Sequence, residues 1–355
     1  IMSSVLVAMS GGVDSSVAAA LLKDDGYDVV GLTFINFDFR RLNPDKSVQH
    51  CCSHETVNNA RNVCDCLNIP HYVINRVDQF GKKVLENFKS SYFKGLTPNP
   101  CIRCNSLVRW PELINFAEKL GVEFIATGHY ARIKSDNGHY MIYRAYSKAK
   151  DQSYALWAIK PDFLKRTLLP VGCYEKNQIR DIATKHNMLN AFYPESQDLC
   201  FVMDAKYADV IGFLKSGDIV DNHGKILGKH KGLINYTVGQ RRGIGVSAQE
   251  PLYVLEIDTD HNRLIVGTDE QLLKSDFEVE KANWFVKVSA GDEINCLAKI
   301  RYRHEAVSCV VRIKTKDEVA VRFREPQRAI TPGQSAVFYD GEALLGGGVI
   351  KRFRK

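Results

Sequence analysis

IMSSVLVAMSGGVDSSVAAALLK, residues 1–23, joins a short apolar run to a helical pattern through the turn SGGVDSS, Ser10 to Ser16. Val5 to Met9 reads as a buried strand, and from Val13 to Lys23 apolar residues recur at helical spacing. A glycine-rich turn between a strand and a helix N-terminus presents backbone N–H groups, and this makes an anion site. Gly11 and Gly12 let the backbone approach phosphate with no Cβ in the way. Asp14 is placed for a magnesium ion, and Ser15 and Ser16 for phosphate oxygens. The turn holds no Lys, so it is not the G-x-x-x-x-G-K-[ST] loop. A bare Gly-Gly before a helix is a tight connection and no more; the whole of SGGVDS after an apolar strand is far more specific.

Working outward, strands and helices alternate. Tyr27 to Phe34 reads as a second strand. Ser53 is expected to N-cap a helix with Val57, Ala60, Cys64 and Leu67 on its apolar face, stopping before Pro70. His71 to Val77 reads as a third strand, Pro111 and Gly121 bracket a helix, and Phe124 to Thr127 is a fourth strand. This alternation specifies the α/β class with a doubly wound parallel sheet. After about Cys200 glycines become frequent (Gly212, Gly217, Gly224, Gly228, Gly232, Gly239, Gly243, Gly245) and helical periodicity fades. From about Phe277 the stretches AVSCVVRIK, EVAVRF, SAVFYDG and ALLGGGVI alternate as short strands of a small antiparallel barrel or sandwich. The expected organisation is a parallel-sheet domain (1–203), a small central domain (204–275) and a C-terminal antiparallel β-barrel (276–355).

Composition narrows the class. The 355 residues are 45% hydrophobic and 25% charged, normal for a soluble globular protein. No apolar run approaches the roughly 18 residues of a membrane span, and no leader precedes a cleavage site. A soluble, cytoplasmic protein with no membrane partner is expected, and an organellar form after removal of a transit peptide is compatible. The net charge of +7 is mild, but from Asn222 to Gly245 there is no acidic residue while Lys225, Lys229, Lys231, Arg241 and Arg242 all occur. Such a run is most often a solvated face; beside glycines it also suits a polyanion such as nucleic acid.

Ten cysteines in a chain without a leader argue for reactive or metal-binding thiols over a disulfide framework. In GLTPNPCIRCNSLVRW, Gly95 to Trp110, two prolines stiffen an extended approach to Cys101 and Cys104 at C-x-x-C spacing. A structural zinc ion would need a second such pair, and Cys51–Cys52 and Cys64/Cys66 have other spacings. Cys64 falls on an apolar helix face and reads as a buried thiol. ESQDLCFV, Glu195 to Val202, places Cys200 after a polar turn. One cysteine alone means packing; with the phosphate turn and the C-x-x-C it points to sulfur chemistry.

SGGVDS resembles the PP-loop of ATP pyrophosphatases, which cleave ATP to AMP and pyrophosphate while adenylating a carbonyl oxygen. The ordered set AMSGGVDSS, CCS, TPNPCIRCN, FIATGHYARI, KDQSYAL, ESQDLCF, GQRRGIG, KIRYRHE and TPGQSAVFYDG, from residue 5 to about 350, resembles the tRNA-uridine 2-sulfurtransferases of the MnmA/TRMU family. The resemblance implies ATP-dependent 2-thiolation of the wobble uridine of tRNA, with Mg2+ as cofactor. It also implies a persulfide donor such as a cysteine desulfurase or a sulfur-relay protein.

By the same resemblance, ATP would lie against Ala8, Met9, Ser10, Gly11, Gly12, Val13, Asp14 and Ser15, with Phe34 lining the adenosine and Gly128 near it. Cys104 takes the place of the catalytic thiol and Cys200 that of the persulfide carrier. Asn99, Pro100 and Cys101 would meet the target base; His129, Lys150, Asp151, Gln152, Arg301, Tyr302 and Gln334 would touch the tRNA anticodon arm. His129 has a plainer reading as a hydrogen-bonded strand-end residue, and Arg301 one as a solvated strand residue. Many family members carry Asp at the position of Cys101, so that role does not transfer to a thiol. One alternative is a [4Fe–4S] cluster on Cys101, Cys104 and Cys200. Others are a PP-loop ligase or amidotransferase for a small metabolite, and a tRNA-binding module with an inactive turn.

Overall fold

The computed structural model describes residues 2–38, 52–193, 199–202 and 215–353, with the side chains of 52–54 left aside. Cys51, residues 195–198 and Gly212, all quoted above, lie outside the described residues, as do the side chains of Cys52 and Ser53. The chain divides into two compact units. One comprises Ile1–Val84, Cys101–Phe201 and Glu342–Leu344; the other comprises Leu85–Pro100, Val202–Gly341 and Leu345–Lys355.

In the first unit, strands β1 (Ser4–Ala8), β2 (Asp28–Ile35), β3 (His71–Asn75), β4 (Phe124–Thr127) and β7 (Thr167–Leu168) form a sheet in the order β3-β2-β1-β4-β7. Every pairing is parallel, with Val5 opposite Val29 on one side and Phe124 on the other. Strand order therefore reverses at β1, and in sheets of this kind the crevice at the carboxyl end of that strand is where ligands bind. Helix α1 (Val13–Asp24) follows at once. Its Val17, Ala18, Ala19 and Ala20 have no exposed surface, because small side chains let the helix lie close on Val5 and Val7. Helix α2 (Cys52–Cys66) begins one residue before the expected cap Ser53, and it buries Ala60 and Cys64 fully. Burial and the Asp65 carboxylate push the Cys64 thiol up to about 12. Helix α3 (Trp110–Leu120) has Pro111 in its first turn and Gly121 past its end at φ +66°, as the sequence specifies. Helix α4 (Lys176–Lys185) is opened by a capping box between Glu175 and Gln178. The hairpin β5 (Ala131–Asp136) and β6 (His139–Arg144) turns at Asn137-Gly138, both at positive φ.

The second unit contains two β-structures. In the smaller, β8 (Gly217–Val220), β9 (Ile226–His230), β10 (Tyr253–Asp258) and β11 (Arg263–Gly267) order as β10-β11-β8-β9 around Ile219, Val254, Leu264 and Val266. In the larger, β12 (Leu273–Trp284), β15 (Glu318–Arg328), β14 (Val307–Thr315), β13 (Glu293–Lys299), β16 (Ser335–Asp340) and β17 (Ala343–Ile350, in this unit from Leu345 on) follow one another, and β17 pairs back onto β12 through Gly346 to Ile350, closing an antiparallel barrel. Closure removes the free sheet edges. Gly346 lies where a Cβ would stand 2.8 Å from the Trp284 ring, which instead stacks on Phe338 at 5.5 Å.

Candidate active site

The turn after β1 is built to hold an anion. Gly11 has φ +72°, and a Cβ there would meet the Thr56 carbonyl oxygen at 2.6 Å, so both conformation and space demand glycine. Gly12 is the N-cap of α1 with no side-chain cap, and a Cβ on it would find only Ser10 Oγ, at 3.6 Å. Among the described residues nothing else closes the helix N-terminus to a ligand. The hydroxyls of Ser15 and Ser16, expected at phosphate oxygens, both donate to the Gly12 carbonyl at 3.0 Å, and both residues are buried. A serine in a first helical turn has that carbonyl within reach, and local bonding wins. Ser15 Oγ also accepts from the Ser10 backbone N–H at 3.1 Å, so these serines shape the loop while Ser10 keeps its exposure.

Asp14, Tyr130 and Lys176 converge here. Tyr130 donates its hydroxyl to Asp14 Oδ1 at 2.6 Å, and Lys176 Nζ donates to the same oxygen at 2.7 Å. The turn lacks a lysine of its own, yet the fold brings one in from the first residue of α4. Asn190, buried, donates to the Gly11 carbonyl and to Ser16 Oγ, both at 2.9 Å, and braces the back of the loop. No sequence pattern singled out Lys176 or Asn190. Gly128, after β4, approaches the loop so closely that a Cβ would stand 2.6 Å from the Ser15 nitrogen. Ala8 ends β1, Met9 and Val13 are buried beneath the turn, and Phe34 is half-buried near the end of β2.

The thiols of Cys101, Cys104 and Cys200 lie close enough to shift one another. Burial pushes all three up, Cys200 to about 12, and Cys200 is raised further by Cys104 and Cys101. Cys104 is 8% exposed, whereas Cys101 and Cys200 keep open surface within crowded surroundings. Phe201, next to Cys200, packs on Phe37 and Phe80 and anchors that segment. Among the described residues no group of three His, Cys, Asp or Glu side chains has the arrangement of a metal site, and this does not favour the cluster alternative.

Other residues expected at the RNA have inward-facing contacts. His129 accepts from Arg109 at Nε2 (3.4 Å) and bonds Thr127 Oγ1 through Nδ1 (2.8 Å). Burial and Arg109 push its imidazolium down to about 3. Asp151 is buried, accepting from the Ala145 and Ser153 N–H groups, and Gln152 bonds the Tyr130 backbone from both its N–H and its side chain. Lys150 is half-buried beside them. In the second unit, Arg301 Nη2 donates to the carbonyls of Val238 and Ala329 and to Thr331 Oγ1, and Gln334 Nε2 donates to Thr97 O at 3.1 Å. Tyr302 is 43% exposed with Lys299 Nζ over its ring. Asn99 and Pro100 also belong to this unit. In the basic segment, Lys229 pairs with Asp218 at 2.9 Å.

Residues 3–204 match the family described as tRNA methyl transferase HUP domain, 208–268 the tRNA methyl transferase PRC-barrel domain, and 274–350 the aminomethyltransferase beta-barrel domain. The chain is 42% identical to the tRNA-specific 2-thiouridylase MnmA of Lachnoclostridium phytofermentans, over 98% of this chain and 99% of that one. It is 43% identical to that of Carboxydothermus hydrogenoformans, over 98% and 97%. Among solved structures, NMN synthetase from Francisella tularensis is 18% identical with a TM-score of 0.33, covering 55% of this chain and 66% of that one. No described helix is long and apolar enough to cross a membrane. With near-complete coverage at this identity, the chain belongs to the tRNA-specific 2-thiouridylase (MnmA) family.

Proposed function

We propose that this protein thiolates C2 of the wobble uridine of tRNA, consuming ATP, with residues 1–203, 204–275 and 276–355 as its working divisions. The observation that carries the reading is that Cys104 lies near enough to Cys200, 96 positions on in sequence, to raise its thiol, in the unit that also holds the ATP turn.

Replacing O2 by sulfur needs a poor leaving group made good. O2 attacks the α-phosphorus of ATP and pyrophosphate departs, leaving the oxygen as part of an AMP leaving group. The open N-terminus of α1, the Gly11–Gly12 backbone and Lys176 stabilise the charge that develops on pyrophosphate. Magnesium, when bound, would neutralise polyphosphate charge, and Asp14 is the residue of the turn that would hold it. The terminal sulfur of a Cys200 persulfide then forms a bond to C2 as AMP leaves. Cys104 attacks the Cys200 sulfur, the sulfur–sulfur bond breaks, and thiolated tRNA departs from a Cys104–Cys200 disulfide. A dithiol reductant returns two electrons to reopen it. The persulfide itself comes from a sulfur-carrying protein or a cysteine desulfurase.

Uridine 34 lies in a single-stranded loop, where a base is splayed out at low cost. The basic segment 222–245 suits phosphate contacts, with steep salt dependence. Methyl transfer, suggested by the wording of the family descriptions, needs neither an SGGVDS turn nor three thiols in mutual range. Incubation with ATP, a persulfide donor, a dithiol and unmodified tRNA followed by nucleoside analysis tests the reading. 2-Thiouridine is the expected product; an unchanged profile would point to a metabolite ligase, and a methylated nucleoside to a methyltransferase.

A further inference from the structure

We propose that Arg109 is the cation that activates the thiols of this site, carried over the C-x-x-C pair by a π turn and steadied by His129. The proposal rests on the reading of Cys104 and Cys200 as the reacting thiols.

The helix that starts at Pro100 is not uniform. Pro100–Cys104 is α-helical, Asn105–Arg109 forms one π turn, and α3 continues from Trp110. At 3.6 residues per turn, a residue five positions on points roughly 140° away around an α-helix. An i→i+5 turn brings it round to nearly the same face, and such single turns recur at functional sites. Arg109 is five residues after Cys104, so the extra residue swings the guanidinium to the side where the thiol lies.

The guanidinium is then fixed from one end. Its Nη1 donates to Asn105 Oδ1 at 2.9 Å and to His129 Nε2 at 3.4 Å. An imidazole that accepts at Nε2 carries its proton on Nδ1, which donates to Thr127 Oγ1. His129 is therefore a neutral positioning residue. Nε and Nη2 of Arg109 make no hydrogen bond among the described residues, so that edge is available to an anion.

Arg103 makes the contrast. It sits inside the C-x-x-C itself, yet its Nε is bonded to the carbonyl of Lys83. Among the described residues, the charges that act on the three thiols are those of one another and of Arg109; no lysine, carboxylate or imidazolium contributes. Burial and the neighbouring thiols favour the uncharged form; Arg109 is the one charge among the described residues that opposes them, joined at Cys200 by a backbone hydrogen bond. A thiolate or persulfide anion formed here has one cation to face.

The test is iodoacetamide alkylation of each cysteine across a pH series, read by peptide mass spectrometry, on the wild type, R109Q, R109K and R103Q. Cys66, exposed, serves as internal standard. R109Q is expected to slow Cys104 and Cys200 about 10-fold at neutral pH and to raise their midpoints by about one unit. R109K, which keeps the charge and stands in should R109Q not fold, is expected to raise them by less than half of that. R103Q is expected to match the wild type. Unchanged midpoints in folded R109Q, a full-unit rise in R109K, or an equal rise in R103Q would each overturn the proposal. Nucleoside analysis on the same preparations separates the two readings. A wild type that responds as expected in alkylation but makes no 2-thiouridine overturns the proposed function and not the role of Arg109.

Discussion

Lys176 Nζ lies 2.7 Å from Asp14 Oδ1, joining the first residue of helix α4 to the first turn of helix α1 across 162 positions of sequence. A nucleotide turn without its own lysine thus acquires one from a distant helix. With the cation over the Tyr130 ring at 5.8 Å and its side chain 12% exposed, the amine is confined to this corner. K176M removes the charge while keeping the length of the stem. A charge-assisted hydrogen bond contributes about 1.5–3 kcal/mol. The KM for ATP is therefore expected to rise roughly 10- to 100-fold, read by release of pyrophosphate at saturating tRNA. An unchanged KM would assign Lys176 to loop stability only.

Gly128 offers a purely steric test. Its missing Cβ would sit 2.6 Å from the Ser15 nitrogen and 2.7 Å from the Asp14 carbonyl carbon, both backbone atoms that cannot rotate away. G128A is expected to push the phosphate turn out of shape at a cost of about 1–3 kcal/mol. Nucleotide titration should show affinity reduced at least ~10-fold. Gly81 is the control: it has φ −52° and nothing within 4 Å of its would-be Cβ, so G81A should bind nucleotide as the wild type does.

Much of this corner was legible because its signals are local. Strand β1, the SGGVDS turn and helix α1 occupy one contiguous stretch, and α3 carries its Pro111 and Gly121 punctuation within a few residues. The thiol cluster was legible only through family resemblance, since no periodicity links Cys104 to Cys200. What escaped reading is tertiary or geometric. Lys176 and Asn190 reach the loop from far along the chain, and neither residue type marks such a role. The π turn at Asn105–Arg109 changes the helical phase by one residue, too little to disturb an apolar pattern. The bonds of Ser15 and Ser16 to the Gly12 carbonyl also go unmarked in the sequence, because a short hydroxyl in a first turn has that local alternative wherever the helix begins.

His129 couples stability to pH. Its folded value, about 3, lies below the ordinary 6.5, because burial and the Arg109 guanidinium disfavour the imidazolium. A depressed value means that the contribution is present above pH 6.5 and is lost as pH falls toward 3. In that window the unfolded ring takes up a proton that the folded ring refuses. The unfolding free energy is expected to fall there by up to about 1.4 kcal/mol per pH unit from this one group. Denaturant titrations of H129Q should show a shallower acid slope than the wild type. Parallel slopes would mean that the ring is protonated in the fold, which its bond from Arg109 opposes.

The two thiols should fail in different ways when each is replaced. C200S removes the sulfur carrier, so incubation with a persulfide donor should add no sulfur to residue 200, and no 2-thiouridine should form. C104S keeps the carrier and loses only the group that breaks the sulfur–sulfur bond. Cys200 would then take up sulfur, attack C2 and remain joined to the tRNA through that bond. A covalent protein–RNA species should accumulate in the presence of ATP, visible as a denaturing-gel shift, absent without ATP and dispersed by a dithiol. Burial pushes Cys104 up while Arg109 pulls it down, so release in the wild type should quicken as pH rises and the Cys104 thiolate fraction grows. Should C104S release product as fast as the wild type, Cys104 is not the resolving thiol, and Cys101, which also acts on Cys200, would become the candidate for that step.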